Sequence, residues 1–374
     1  MSKRLFCVGL IVSLGLVGSQ RTFAQQITVD RLTDRFDANK DGVIEASEAK
    51  DQLKRNFNRI DANSDGKLDR DELVKLVERL RAGQTGRNPR ATFVVPDDVK
   101  LVEDVAYREG ESKKWKLDLF LPRDNEAKEK SKRPAIVFIH GGGWRSGDKG
   151  GGQWRSQPVA YAQKGYVCIS VNYRLTDETS IQGCIEDCKN AVRWLRANAE
   201  EYNVDPDRIG AYGNSAGAHL VSVLGLADEK AGLEGDGPYQ DYSSAIQAVV
   251  CSAPPTDLVN WDGKSEFDPR RGKRLFGTSD LDEGLELAKK CSPVTYVKTG
   301  IPFLVIHGTA DRTVPVFQGD SFVEALKKVD ADVTYIRVKG AGHGVFGQAS
   351  EKTGPAMEEF FERTLKPESK GNGS

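Results

Sequence analysis

Cysteine and histidine are scarce in this sequence, with six Cys and four His in 374 residues. Six cysteines cannot staple a chain of this length, which excludes a disulfide-built scaffold. Neither sign of charge is in excess: 54 Lys and Arg stand against 55 Asp and Glu. A general nucleic-acid binder would carry a basic excess, so that class is excluded as well. No internal run reaches the ~18 apolar residues that a membrane-crossing helix needs, and a multi-span membrane protein is out. With 38% hydrophobic and 29% charged residues the composition is globular. At about 100–200 residues per domain, the length suits one large domain and one small one.

The first segment reads as an export signal rather than as fold. Lys3 and Arg4 precede an apolar run from Leu5 to Gly18, and Thr22-Phe23-Ala24 offers small residues at a cleavage site. A signal peptide at 1–24 would leave a mature chain in the periplasm or outside the cell, with no transmembrane segment. Its loss takes Lys3, Arg4, Arg21 and Cys7, leaving a net charge of −4 and five cysteines: Cys168, Cys184, Cys188, Cys251 and Cys291. An odd number leaves at least one free thiol. Cys184 and Cys188 lie four apart on an expected helix, a poor geometry for a disulfide. Buried apolar roles are expected for these residues.

Two stretches within residues 30–81 fit the calcium-loop pattern D-x-[DN]-x-[DN]-G-x5-E. The first offers Asp37, Asn39, Asp41, the main-chain carbonyl of Val43, Glu45 and Glu48. The second offers Asp61, Asn63, Asp65, the carbonyl of Lys67, Asp69 and Glu72. Ca2+ takes six to eight hard oxygen ligands, and these loops supply only oxygen, with Gly42 and Gly66 at the sharp turn. The segment resembles a tandem EF-hand pair, an all-α module. Only residues 49–60 separate the loops, about 18 Å as a helix. One helix, with Leu53, Phe57 and Ile60 on its buried stripe, would leave the first loop and enter the second. Such a short connection leads us to expect altered side-by-side pairing of the loops. A linker is expected at 82–92, where apolar periodicity stops and Gly and Pro appear.

From 93 to 366 apolar strand-like runs alternate with helical stretches, the pattern of βαβ units around a mostly parallel sheet. Expected strands are 102–107, 116–121, 135–140, 166–172, 208–212, 245–251, 302–307 and 333–338. Expected helices are 181–200, 216–226, 319–329 and 355–365. Residues 367–374 read as a flexible tail.

The chemistry falls at strand ends. Gly213-Asn214-Ser215-Ala216-Gly217 is the single G-x-S-x-G of the chain, and it sits between a strand and a helix. That is the setting of a nucleophilic serine held on a tight turn. His140-Gly141-Gly142-Gly143-Trp144 follows another strand. Acyl transfer needs N–H donors where oxyanion charge develops, and Gly142, Gly143 and Ala216 are the candidates. A serine nucleophile needs a base. Of the four histidines, His140 lies in the glycine loop, His219 on the helix after Ser215, and His307 at a strand end. His343, flanked by glycines on a post-strand loop, remains. Asp311, after the strand 302–307, is the expected orienting acid, with Asp257 as the alternative. About 50 residues between Cys251 and Pro302, including Trp261, Phe267, Arg270, Arg271, Arg274 and Phe276, either shape a substrate pocket or merely cap the sheet.

These motifs, with Gly147-Asp148-Lys149 and Val171-Asn172-Tyr173-Arg174-Leu175, resemble α/β-hydrolase esterases of the HGGG type. The likeness extends to hormone-sensitive-lipase-like esterases and, more closely, to the bifunctional feruloyl and acetyl-xylan esterase group. Asn214 before the serine, where lipase-like relatives often carry Asp, favours that second branch. The resemblance implies an α/β fold with helices on both faces of the sheet, Ser215 as nucleophile, His343 as base and Asp311 as its orienter. It implies a small-molecule or polysaccharide-linked ester as substrate and no cofactor for the ester chemistry. Two other functions stay open at this point. One is an amidase, formamidase or exopeptidase using the same triad. The other is a calcium-dependent binding protein with an inactive hydrolase domain.

Overall fold

The computed structural model describes residues 28–50, 53, 57, 60, 61, 65–84, 93–123, 131–264 and 267–366. The expected export signal at 1–24, Asn63, residues 85–92 and the tail at 367–374 lie outside the described residues. The described chain divides into two compact units, one up to Val94 and one from Val95 on.

In the first unit, helix α1 (Val29–Phe36) starts where the Thr28 hydroxyl accepts from the Arg31 amide, a side-chain N-cap. Two two-residue strands follow, β1 (Ile44–Glu45) and β2 (Lys67–Leu68), and then α2 (Arg70–Gln84). Strands β1 and β2 pair antiparallel, Ile44 opposite Leu68. This corrects the expectation of altered pairing: the loops do lie side by side. The reason is apolar burial. Ile44 and Leu68 are fully buried in one cluster with Ala49, Leu53, Phe57 and Leu73, and that shared core draws the loops together. Helix α2 also runs to Gln84, three residues into the expected linker.

The second unit is built on one eight-stranded sheet. Its strands are β3 (Val99–Ala106), β4 (Lys116–Pro122), β5 (Arg133–Ile139), β6 (Val167–Val171), β7 (Val204–Asn214), β8 (Ala248–Ser252), β9 (Phe303–Gly308) and β10 (Val333–Val338). Their order is β10-β9-β8-β7-β5-β6-β4-β3. Strand β4 runs antiparallel to both β3 and β6, and every other pair is parallel. Strands β6, β8 and β9 are buried along their whole length, as a parallel sheet covered on both faces requires.

Helices α3 (Gln153–Ala162), α4 (Ile181–Ala197), α5 (Ala216–Leu226), α6 (Pro269–Phe276), α7 (Leu281–Cys291), α8 (Val316–Lys328), α9 (Val345–Gln348) and α10 (Ser350–Leu365) complete the unit. Helix α3 was not expected, because three glycines precede it and Pro158 lies inside it. Strand β7 is longer than expected. A bulge between its pairings at Arg133 and Ala135 admits Pro206 into the strand. Among the described residues no helix is long and apolar enough to cross a membrane.

The topology itself marks a place for a site. From β5 the chain crosses to β6 on one side, and it later returns to β7 on the other. Open α/β sheets bind ligands at the carboxyl ends of strands flanking such a switch point. Here those ends carry His140–Gly143 and Ser215.

Candidate active site

Ser215 stands between β7 and α5 with φ 55° and ψ −122°, in the left-handed region that non-glycine residues avoid. Such strain, of order 1–3 kcal/mol, persists only when the surroundings fix it. They do so here through close backbone approach. A Cβ on Gly217 would lie 2.0 Å from the Ile139 carbonyl oxygen, so only glycine lets α5 start this close to β5. The Ser215 amide donates to the Ser252 carbonyl at 2.8 Å, which ties the turn to the end of β8.

The structure brings together three residues expected to cooperate. The Ser215 hydroxyl lies 2.9 Å from His343 Nε2, and His343 Nδ1 lies 2.8 Å from Asp311 Oδ2. The other Asp311 oxygen accepts from the amides of Thr313 and Val314. Burial alone would raise the Asp311 carboxyl. Hydrogen bonds from His307, His343 and those two amides outweigh it and hold the group well below the ordinary aspartate range. Asp311 therefore stays ionised, so His343 keeps its proton on Nδ1 and its Nε2 lone pair toward the serine. Asp257, the alternative acid, instead accepts from the amides of Val259 and Asn260 within its own turn.

The other histidines are structural. His140 stacks on Tyr173 with ring centroids 4.4 Å apart, and burial pushes it down to about 4. His219 is fully buried and also pushed down to about 4 by burial. His307 is fully buried, and its Nε2 donates to the Val314 carbonyl at 3.0 Å.

The glycine loop is held by its carbonyls, which frees its amides. Tyr173 donates its hydroxyl to the His140 carbonyl, Ser146 donates to Gly142, and the Thr176 amide donates to Trp144. Among the described residues, the N–H groups of Gly142, Gly143 and Ala216 donate to no other part of the chain. Gly142 has φ +121°, and a Cβ there would lie 2.0 Å from the Ser146 oxygen.

Sequence reasoning assigned no role to the residues that brace this loop. Asn172 accepts from the Lys149 amide at 2.6 Å and donates to Asp148 at 3.0 Å. The Lys149 ammonium is buried against Asp118 and Asp104. Asp104 reaches it through a one-residue bulge of β3 between Val102 and Val105. The Gly147-Asp148-Lys149 and Asn172-Tyr173 runs were visible as signals without a partner.

The segment after β8 forms helices α6 and α7. Phe267 and Phe276 turn into the core. The Arg271 guanidinium lies over the Trp261 ring, 4.4 Å from its centroid. Cys168, Cys184, Cys188, Cys251 and Cys291 are all buried free thiols.

In the first unit the loop carboxylates are turned onto the loops' own amides. Asp37 accepts from Lys40, Asp41 and Gly42, and Glu48 accepts from Ala38, Asn39 and Glu45. Asp61 accepts from Asp65 and Gly66, and Glu72 accepts from Asp69. Among the described residues no three His, Cys, Asp or Glu side chains converge as a metal site. Asn39 and the main-chain carbonyls of Val43 and Lys67 add further oxygens to these loops. The donor set is all oxygen, which fits calcium.

Comparison with known families resolves the lineage. Residues 117–326 match the BD-FAE family. The chain belongs to the BD-FAE family. Residues 34–50 and 53–77 match the EF hand family. The BD-FAE match ends before His343, so that residue rests on the geometry. The chain is 32% identical over 247 residues to esterase LipC of Mycobacterium tuberculosis, covering 64% of this chain and 59% of that one. It is 30% identical to esterase LipQ of the same organism, covering 56% and 50%. The chain thus spans a half to three-fifths of these curated relatives.

Solved structures cover the BD-FAE unit more fully. A truncated carbohydrate esterase from gut microbiota superposes with a TM-score of 0.64 at 28% identity, covering 72% of this chain and 99% of that one. The esterase Est2 of Thermogutta terrifontis has a TM-score of 0.60 at 29% identity, covering 73% and 95%. Est2 has also been solved with propionate and with butyrate bound.

Proposed function

We propose that this chain is a serine carboxylesterase that removes short acyl or feruloyl groups from carbohydrate-linked esters through an acyl-enzyme. The observation that carries the reading is the unbroken chain from Ser215 Oγ through His343 to Asp311. His343 Nε2 takes the hydroxyl proton as Oγ attacks the ester carbonyl. The amides of Gly142, Gly143 and Ala216 receive the oxyanion. His343 then hands the proton to the leaving alcohol, and water repeats the sequence to release the acid. The likeness to a carbohydrate esterase and to an esterase solved with short acids supports this substrate class.

Calcium, when bound, adds native-state stability to the first unit rather than chemistry. Asp37, Asn39, Asp41, Glu45 and Glu48 would hold one ion with the Val43 carbonyl. Asp61, Asn63, Asp65, Asp69 and Glu72 would hold a second with the Lys67 carbonyl. Residues 1–24, read as an export signal, would deliver the enzyme to the periplasm or the exterior.

Rates on acetyl, butyryl and feruloyl esters, on acetylated xylan and on N-formyl anilides test the reading. Ester turnover that vanishes in Ser215→Ala is expected. Turnover of the anilides alone would move the assignment to an amidase, and activity surviving Ser215→Ala would remove it.

A further inference from the structure

His219 lies four residues beyond the nucleophile, on the first turns of α5, and is completely buried. Its two ring nitrogens face two different parts of the site. The Trp144 indole N–H points at Nδ1 at 3.3 Å, and Nε2 lies 2.7 Å from the Cys291 carbonyl oxygen. An indole N–H can only donate and a carbonyl can only accept. The ring must therefore be neutral, with its proton on Nε2. Both nitrogens are used, so His219 has no lone pair or proton left for chemistry.

The partners on either side matter. Trp144 ends the glycine loop and is the third residue in a row with a positive φ, +121° at Gly142, +63° at Gly143 and +59° at Trp144. A tryptophan in that region is strained and keeps its conformation only if anchored. Its carbonyl is anchored by the Thr176 amide, and its indole, packed edge-on against the imidazole, is anchored by His219. On the other side Cys291 closes α7, and its carbonyl is one of the orphan acceptors at a helix C-terminus. The next residue, Ser292, accepts from the Leu258 amide, so α7 is continuous with the loop that follows β8.

We propose that His219 is a positioning residue. It acts as a strut that fixes Trp144, and with it the Gly142 and Gly143 amides, against the end of the inserted helix α7. The inference rests on the reading of those amides as oxyanion donors. It adds that the β8–β9 insertion sets their placement through one buried imidazole. A displacement of about 1 Å at such donors costs up to ~100-fold in rate.

The test uses the full chain and a 4-nitrophenyl acetate assay, with circular-dichroism melts in parallel. His219→Leu is expected to lower kcat by ~10–100-fold with KM within about twofold, as loss of oxyanion stabilisation does. His219→Gln carries an acceptor and a donor on one amide and is expected to restore most of kcat. Trp144→Phe keeps a six-membered aromatic ring and removes the N–H together with the rest of the indole, so it should reproduce the kcat loss. It also keeps the test decisive should His219→Leu fail to fold. In the pair Trp144→Phe with His219→Leu the losses should not multiply.

Wild-type kcat in Trp144→Phe would overturn the proposal. So would multiplying losses in the double variant, or a melt restored by His219→Gln without any recovery of kcat. Absence of turnover in the wild-type chain would instead overturn the esterase reading, which keeps the two failures apart.

Discussion

Mild acid is expected to unfold the hydrolase unit through two buried histidines. His140 and His219 are 1% and 0% exposed, and burial pushes each from 6.5 down to about 4. Between those values the unfolded chain binds protons that the folded chain refuses. Stability rises with pH wherever the unfolded state binds more protons, so this contribution is complete above about 6.5 and is lost as the pH falls toward 4. At 1.36 kcal/mol per unit of pKa, each histidine accounts for about 3 kcal/mol across that window. Two of them approach the ~5–15 kcal/mol that a domain has in total.

The depressed carboxylates act lower down. Asp311, Asp148 and Asp104 stay below the ordinary aspartate value, so their contribution holds until the pH drops under about 4. Urea unfolding followed by tryptophan fluorescence separates the units, because all five tryptophans (Trp115, Trp144, Trp154, Trp194 and Trp261) lie in the second. At constant calcium, stability should fall with a limiting slope of about 2.7 kcal/mol per pH unit, the value for a two-proton difference. His219→Gln should roughly halve that slope. A stability that is flat from about pH 7 to pH 5, or an unchanged slope in His219→Gln, would refute the reasoning.

Other perturbations address the loop and the ion sites. Lys149→Met leaves the fully buried Asp118 carboxylate without its nearest cation, although Arg155 stays 3.6 Å away. A loss of about 3 kcal/mol is expected, at the low end for a broken buried pair, and the melting curve reads it. Gly142→Ala sets a Cβ 2.0 Å from the Ser146 oxygen, so kcat should fall ~100-fold as the loop amides move. Glu48→Gln removes a carboxylate from the first loop, and titration calorimetry should then show one calcium-binding step where the wild-type chain shows two.

The parts legible in the sequence are those whose signal is local. Ser215, His343 and Asp311 each follow an apolar strand and sit among glycines or turn residues, so composition and order alone picked them out. Both calcium loops carry their pattern within twelve consecutive residues. Contacts between distant segments leave no such trace. Trp144 and His219 are 75 positions apart, and Lys149 and Asp118 are 31 apart. Neither pair has a periodicity to betray it. Helix α3 was hidden by its own punctuation, since Gly150–Gly152 and Pro158 read as loop. The pairing of β1 with β2 is not legible in the loop spacing, because it follows from the shared burial of Ile44 and Leu68.

Labelling with a fluorophosphonate probe tests the central claim most directly. Such reagents react with a serine only when a base and oxyanion donors activate it. Peptide mass spectrometry should find one adduct per chain, on Ser215, and labelling should collapse in His343→Ala. An unlabelled wild-type chain, or an adduct on another serine, would contradict the account.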